Sequence, residues 1–247
     1  MSNSKTAIVT GAGKGIGEAL ALQLGRAGIA VCCNSVTNSG ASVAEKIQRG
    51  GGKAFFVCGD VSKKEDVARI VGETVKTFGG VDILVNNAGV VLPGTLETTT
   101  QEDWETTMNI NVTGLFLLSQ ACVPYLVERK GVIINVASSV ALKGVKDRFA
   151  YTASKGAALS LTRSMAVDLI DKGVRVNCVC PGTTFTPSLD SRLAKSENYE
   201  QTKKEFIARQ PMGRFGTPEE IADGIFYLIN AGFCTGTMLS VDGGMTM

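Results

Sequence analysis

The sequence predicts a doubly wound α/β fold, a seven-stranded parallel sheet flanked by helices on both faces, and three observations predict it. Short apolar runs rich in Val, Ile and Cys recur from end to end without interleaved polar residues, as strands buried on both faces require. Longer segments with helical spacing separate them, and such alternation is the pattern of a parallel sheet. A chain of 247 residues, 44% hydrophobic and 19% charged, is long enough to bury a sizeable core.

The elements follow in order. The strand Ala7–Thr10 enters a glycine-rich turn and the helical segment Gly15–Ala27. Ala30–Cys33 and the helix Val43–Gly50 come next, then Ala54–Cys58 and Lys64–Thr77. Ile83–Asn86 precedes a long helical pattern over Glu102–Glu128, and Val132–Val136 precedes another over Tyr151–Lys172. Val174–Val179, the helix Glu219–Ile229 and the strand Met238–Val241 complete the set. No linker-like or low-complexity stretch divides them, so one domain over 1–247 is expected. Segment 183–209 breaks the rhythm: it is polar and follows a strand end. Ligands of open parallel sheets bind outside the carboxyl ends of the strands, so this insert is a candidate substrate lid.

Composition narrows the chemistry. The chain has no histidine, which excludes Ser-His-Asp and Cys-His nucleophile systems and any histidine-ligated metal; no metal site is expected. Proton transfer near neutral pH must then use Tyr, Lys, Cys, a carboxylate or water. The net charge of +2, from 25 Lys and Arg against 23 Asp and Glu, comes with no basic block, so nucleic acid is not an expected partner. Seven cysteines lie in apolar surroundings without C-x-x-C spacing, and are expected as small core residues in a reducing, cytoplasmic compartment. The opening MSNSKTAIVTG lacks the basic and apolar regions of a leader, and no uninterrupted apolar run approaches about 18 residues, so no membrane partner is expected.

Three motifs carry chemistry. Thr10-Gly11-Ala12-Gly13-Lys14-Gly15-Ile16-Gly17 lies between the first strand and the first helix. Glycines there let the backbone approach a pyrophosphate that meets the free N–H groups at the helix start. Past the second strand, a carboxylate would hold a ribose 2′-hydroxyl, yet the chain reads Cys33-Asn34-Ser35-Val36-Thr37. Without that acid, and with Lys14 available for a 2′-phosphate, NADP(H) is favoured over NAD(H); a merely solvated Lys14 is the competing reading. Tyr151 and Lys155 stand one helical turn apart, on one face. A phenol is ordinarily a weak base at neutral pH, and a nearby ammonium favours its phenolate. Ser138, just past Val132–Val136, is placed to hydrogen-bond a substrate oxygen.

On these residues, together with Asp60-Val61, Asn86-Asn87-Ala88-Gly89, Asn111 in NINVTG and Pro181-Gly182, the whole chain resembles the short-chain dehydrogenases/reductases, a family of Rossmann-type fold. The resemblance implies that Tyr151 exchanges a proton with the alcohol or carbonyl oxygen, Ser138 orients that oxygen and Lys155 binds the nicotinamide ribose. It gives Asn111 the water of a proton relay. Gly11, Lys14, Gly15, Ile16, Gly17, Asn34 and Ser35 fall to the cofactor, as do Asp60 and Val61 at its adenine. Asn87, Ala88 and Gly89 would line its inner edge, and Pro181, Gly182, Thr184 and Thr186 would embrace the nicotinamide. A homotetramer with contacts on the segments 102–128 and 151–172 is implied as well.

Arg148, Arg192 and Arg209 fall before the tyrosine, in the insert and at its end, and guanidinium forks suit carboxylates. Asp147 and Glu205 are near enough in sequence to pair with two of them instead. The stretches NVASSV, CVCPGT, TPSL and ARQ resemble the cytosolic type 2 3-hydroxybutyrate dehydrogenase subgroup, which includes 2-keto-3-deoxy sugar-acid dehydrogenases. There the three arginines are assigned to the substrate carboxylate; the chain departs from that subgroup at Asn34-Ser35, where an acid is usual. The expected function is an NADP(H)-preferring oxidoreductase of a small anionic hydroxy or keto acid. A 3-oxoacyl-carrier-protein reductase and a non-catalytic NADP-binding regulator are the alternatives.

Overall fold

The computed structural model describes residues 4–247; Met1–Asn3, the start of the stretch read as lacking a leader, lie outside the described residues. The strands are β1 (Thr6–Thr10), β2 (Ala30–Ser35), β3 (Ala54–Cys58), β4 (Ile83–Asn86), β5 (Val132–Val136), β6 (Arg175–Pro181) and β7 (Met238–Val241). All pairings are parallel, in the order β3-β2-β1-β4-β5-β6-β7. The helices are α1 (Gly15–Arg26), α2 (Ser39–Arg49), α3 (Lys64–Phe78), α4 (Gln101–Met108), α5 (Gly114–Arg129), α6 (Phe149–Leu169), α7 (Pro187–Leu193), α8 (Tyr199–Ile207) and α9 (Pro218–Asn230). The expected doubly wound architecture is the one observed.

Strand residues divide between two cores because successive side chains leave opposite faces. Val9, Val31, Cys33, Val85 and Ile134 pack with α1, α2 and α9 on one face. Ile8, Cys32, Leu84 and Ile133 pack with α3 and α5 on the other. Adjacent Cys32 and Cys33 thus belong to different cores, as their neighbouring positions demand.

Two features differ from the expected elements. The pattern over 102–128 is not one regular helix: a π-helical turn at Asn109–Thr113 joins α4 to α5, closed by the Gly114 N–H donating to Asn109 O. Such turns carry one extra residue and often accompany functional sites. The continuous helix Gln101–Arg129 is also long and apolar enough, by length and composition, to cross a membrane. Counting only uninterrupted apolar runs misses this; in the fold its Leu118, Cys122 and Leu126 are buried against the sheet. Segment 183–209 is the second difference, since it folds into α7 and α8. Leu189 and Leu193 anchor α7 in the interior, whereas α8 buries no residue.

The cysteines follow the core expectation with one clear exception. Five are buried, Cys234 is partly so, and Cys58 is exposed at the end of β3. Burial pushes the Cys32 and Cys33 thiols up to about 12, and raises Cys122 as well. Native protein treated with a thiol-specific disulfide reagent should therefore show one fast-reacting thiol that Cys58→Ser removes, the buried five reacting only on unfolding. Fast reaction of more than two thiols would contradict this packing.

Candidate active site

The strand order reverses between β1 and β4, and the loops leaving these two strands diverge there to form a crevice. Thr10, the last residue of β1, binds the two loops together. Its hydroxyl donates to Val85 O at 3.2 Å and accepts from the N–H groups of Asn87 at 3.0 Å and Ala88 at 2.9 Å. Asn87 Nδ2 returns a bond to Thr10 O at 2.7 Å. The glycine turn is locked onto this knot. Gly15 has φ +59°, a left-handed backbone that favours glycine, and a Cβ on Gly17 would stand 2.3 Å from Gly11 O. Lys14 precedes α1 without capping it, so no side chain occupies the N–H groups of the first turn. Those groups and the residues around them fit a dinucleotide pyrophosphate.

A cleft of about 590 Å³ extends from this turn across the ends of β5 and β6. Its lining brings together Gly11, Lys14, Gly15, Ile16, Asn87, Ala88 and Gly89 with Ser138, Tyr151 and Lys155, and with Pro181, Gly182, Thr184 and Thr186. Thr186 caps α7, accepting from the Leu189 N–H, and its methyl lies 3.1 Å from where a Gly15 Cβ would be. The start of the insert therefore lies directly against the glycine turn.

Lys155 is buried, and its ammonium donates to Val136 O at 2.7 Å, which leaves donors for the cleft. The same nitrogen lies 5.7 Å from the centre of the Tyr151 ring. Ser138 and Ser139 both line the cleft, but they are not equivalent. Ser139 donates to Met245 Sδ at 3.2 Å, while Ser138 Oγ only accepts, from the Val140 N–H at 3.4 Å. The Ser138 hydroxyl proton is thus available to a ligand.

Asn111 sits on the π-helical turn behind these residues. Its amide is spanned by both backbone groups of Val90: Oδ1 accepts from Val90 N–H at 2.8 Å and Nδ2 donates to Val90 O at 3.0 Å. Nδ2 also donates to Ser154 Oγ at 3.0 Å, and Ser154 donates to Tyr151 O at 2.8 Å. A second cavity of about 10 Å³, lined by Asn111, Lys155 and Val61, lies at this point; that volume is near the lower limit for one water.

Not every expected cofactor residue faces the main cleft. Asn34 is buried and donates to Val57 O and Gly59 O, at 3.2 and 3.0 Å, because β2 continues past Cys33 to Ser35. Ser35 donates to Thr37 O and accepts from Gly40 N–H, bracing the start of α2. Asp60 accepts from the Ser62 N–H and hydroxyl, closing the turn after β3. Gly17 lies behind the turn, and Asp60, Asn34 and Ser35 surround the crevice without lining the cleft.

All three arginines line the cleft. None makes an ion pair among the described residues, and Glu205 instead accepts from Gln201. Burial holds each guanidinium below its usual range; for Arg192 the neighbouring Arg148 and Arg209 push the same way, and for Arg209 Arg148 does, while Asp147 works against the shift at Arg148 and, with Glu205, at Arg209. Asp147, with φ 57°, takes the left-handed conformation that Asp tolerates and so directs the chain into Arg148. Lys195 and Phe206 line the cleft too, and the sequence patterns do not point to either. Among the described residues, no carboxylate side chain lines the cleft.

Fold and cleft together define an oxidoreductase that works with a nicotinamide dinucleotide. Comparison with known proteins agrees: residues 11–246 match a family profile described as enoyl-(acyl carrier protein) reductase. The chain is 46% identical to an uncharacterized oxidoreductase of Thermotoga maritima, over 98% of this chain and 97% of that protein. It is 39% identical to 2-(S)-hydroxypropyl-CoM dehydrogenase 3 of Xanthobacter autotrophicus, over 96% of this chain and 95% of the other. A dehydrogenase/reductase SDR family member 6 of Danio rerio is also 39% identical, over 98% and 97%. The chain belongs to the short-chain dehydrogenase/reductase family, whose members use NAD(P)(H).

Proposed function

We propose that this enzyme interconverts a secondary alcohol and a ketone on a small anionic hydroxy or keto acid, a sugar acid among them, and prefers NADP(H). The observation that carries the substrate class is the cluster of Arg148, Arg192 and Arg209 in a cleft lined by no carboxylate among the described residues. Three half-buried guanidiniums, without an ion-pair partner among the described residues, repel one another; Asp147 and Glu205 offset this without pairing, and a carboxylate or similar anion would offset it further. The resemblance to the 3-hydroxybutyrate dehydrogenase subgroup supports the same class. The name of the Xanthobacter relative refers to a 2-hydroxypropyl group, itself a secondary alcohol. In the carrier-protein alternative the cations would face an outer docking rim, whereas here they converge inside the cleft.

The first turn of α1 with Gly11, Gly15 and Ile16 would hold the cofactor's pyrophosphate, and Lys155 with Asn87–Gly89, Pro181, Gly182, Thr184 and Thr186 its nicotinamide half. When bound, the cofactor accepts or supplies the hydride. The arginines anchor the substrate's acid group in the cleft, which orients its other end toward Tyr151. Ser138 donates a hydrogen bond to the reacting oxygen. Tyr151 takes the hydroxyl proton in oxidation and returns it to the carbonyl oxygen in reduction, beside the Lys155 ammonium. Asn111 and the small cavity behind Lys155 provide the position of a relay water linking that ammonium to the interior.

The cofactor preference is supported by the chemistry at the end of β2. No acid stands there to repel a phosphate, and Lys14, in the glycine turn, is exposed and lines the cleft. Segment 183–209 acts as the lid, α7 fixed and α8 the part able to move. The cytoplasmic location rests only on the cysteine usage read from the sequence, whereas exposed Trp104, Phe116, Phe149, Val167 and Ile170 on α4 to α6 and just beyond support a homotetramer.

Initial rates with 3-hydroxybutyrate, 2-keto-3-deoxy sugar acids, neutral sugars and acetoacetyl thioesters, each with both cofactors, test the substrate class. Arg148→Ala and Arg209→Ala should each raise KM for carboxylates by roughly tenfold or more, as loss of a charge-assisted bond does; unchanged values would sink the anion reading. Tyr151→Phe should lower kcat by roughly 10²–10⁴-fold while NADPH titration by fluorescence still shows binding. Substantial turnover by that variant would remove Tyr151 from its role. Lys14→Ala should weaken NADPH by about tenfold and NADH much less; equal losses would mean that Lys14 does not read the phosphate.

A further inference from the structure

Phe206, in the last turn of α8, faces the cleft between two of the arginines. The Arg209 guanidinium carbon lies 3.8 Å from the centre of its ring, a stacking distance, and that of Arg148 lies 5.9 Å from the same centre. Both are within the roughly 6 Å over which a ring face attracts a cation. Like charges do not gather of their own accord, and neither arginine has an ion-pair partner among the described residues. The ring is the one group in contact with both; the Asp147 carboxylate also attracts each of them, without pairing with either.

The placement of the ring is itself secured. Gln210 is buried, its Nε2 donates to Phe206 O at 2.9 Å, and its Oε1 accepts from the Thr183 N–H at 3.4 Å. The end of α8 is thereby tied to the chain leaving β6. Arg148 comes from the scaffold, directly before α6, whereas Arg209 follows α8. The ring thus meets cations from two elements that no salt bridge connects among the described residues.

We propose that Phe206 is a positioning residue that holds Arg148 and Arg209 side by side, so that one anionic group of the substrate meets both guanidiniums. This rests on the reading that the arginines bind a substrate anion. The distances decide the weighting: Arg209, in stacking contact, depends on the ring more than Arg148 does.

The test is a double-substitution cycle on the full-length enzyme, reading KM for acetoacetate and the inhibition constant of its neutral methyl ester. Phe206→Leu keeps an apolar side chain and removes the ring face. It should raise KM for acetoacetate by roughly three- to fivefold with kcat little changed, leave the ester's constant unaltered, and be restored by Phe206→Trp. In an Arg209→Ala background the same change should cost less than about twofold, because the partner is already gone. An equal loss in both backgrounds, or an equal loss for the ester, would show that Phe206 only packs the cleft wall, and would overturn the proposal alone. If Arg209→Ala itself leaves KM for acetoacetate unchanged, the anion reading fails and this inference with it.

Discussion

The knot at Thr10 is the constraint on which the rest of the site depends. A parallel sheet brings β1 and β4 side by side, but their outgoing loops turn to opposite faces and have no secondary structure in common. One hydroxyl and one carboxamide join them: Thr10 serves Val85, Asn87 and Ala88, and Asn87 closes the circuit onto the β1 carbonyl. The Gly17 backbone fits under Gly11 only because that circuit fixes the turn. The direction of the α1 N-terminus, the edge of the cleft at Gly89, and the distance from the glycine turn to Lys155 all follow from it. An added Cβ at Gly89 would come within 3.1 Å of Asn111 Oδ1 and 3.4 Å of Lys155 Nζ, so the same loop brings the π-helical turn and α6 to one point.

What was legible in the sequence is what local spacing encodes. The glycine turn follows a strand and opens a helix, and Tyr151 and Lys155 lie one turn apart; both are fixed by chain geometry before any tertiary contact forms. Alternating apolar runs specify the parallel sheet because only such a sheet buries both faces of every strand. The placement of all three arginines in one cleft could be anticipated from their positions near the tyrosine and in the insert. Their lack of ion pairs could not, since Asp147 and Glu205 were equally near in sequence.

The features that escaped notice depend on tertiary partners. Asn34 reads as a residue just past a strand, yet two carbonyls from the β3 side draw its amide inward and lengthen β2. The π-helical turn is invisible to a 3.6-residue periodicity because a single extra residue barely perturbs the apolar pattern over 102–128. Phe206 carries no motif; its position relative to two guanidiniums exists only once Gln210 has tied α8 to the exit of β6.

Charge in the cleft completes the logic. A total of +2 over 247 residues conceals a lining with six Lys and Arg side chains and no Asp or Glu among the described residues. Guanidiniums cannot shed that repulsion by deprotonating within the range in which proteins fold, and Asp147 and Glu205 offset it at Arg148 and Arg209 without forming ion pairs. Hydrophobic packing provides the means to tolerate it: Leu189 and Leu193 hold α7 in the core, and Arg192 is carried with it. Nothing comparable holds α8, which reaches the cluster through a ring and a glutamine. On the proposed anion reading, α8 is the element that gains most from a bound ligand, since by linkage a ligand strengthens the elements that assemble its site. On the same reading, Lys14 in the glycine turn and the arginine cluster serve two different anionic ligands within one cleft.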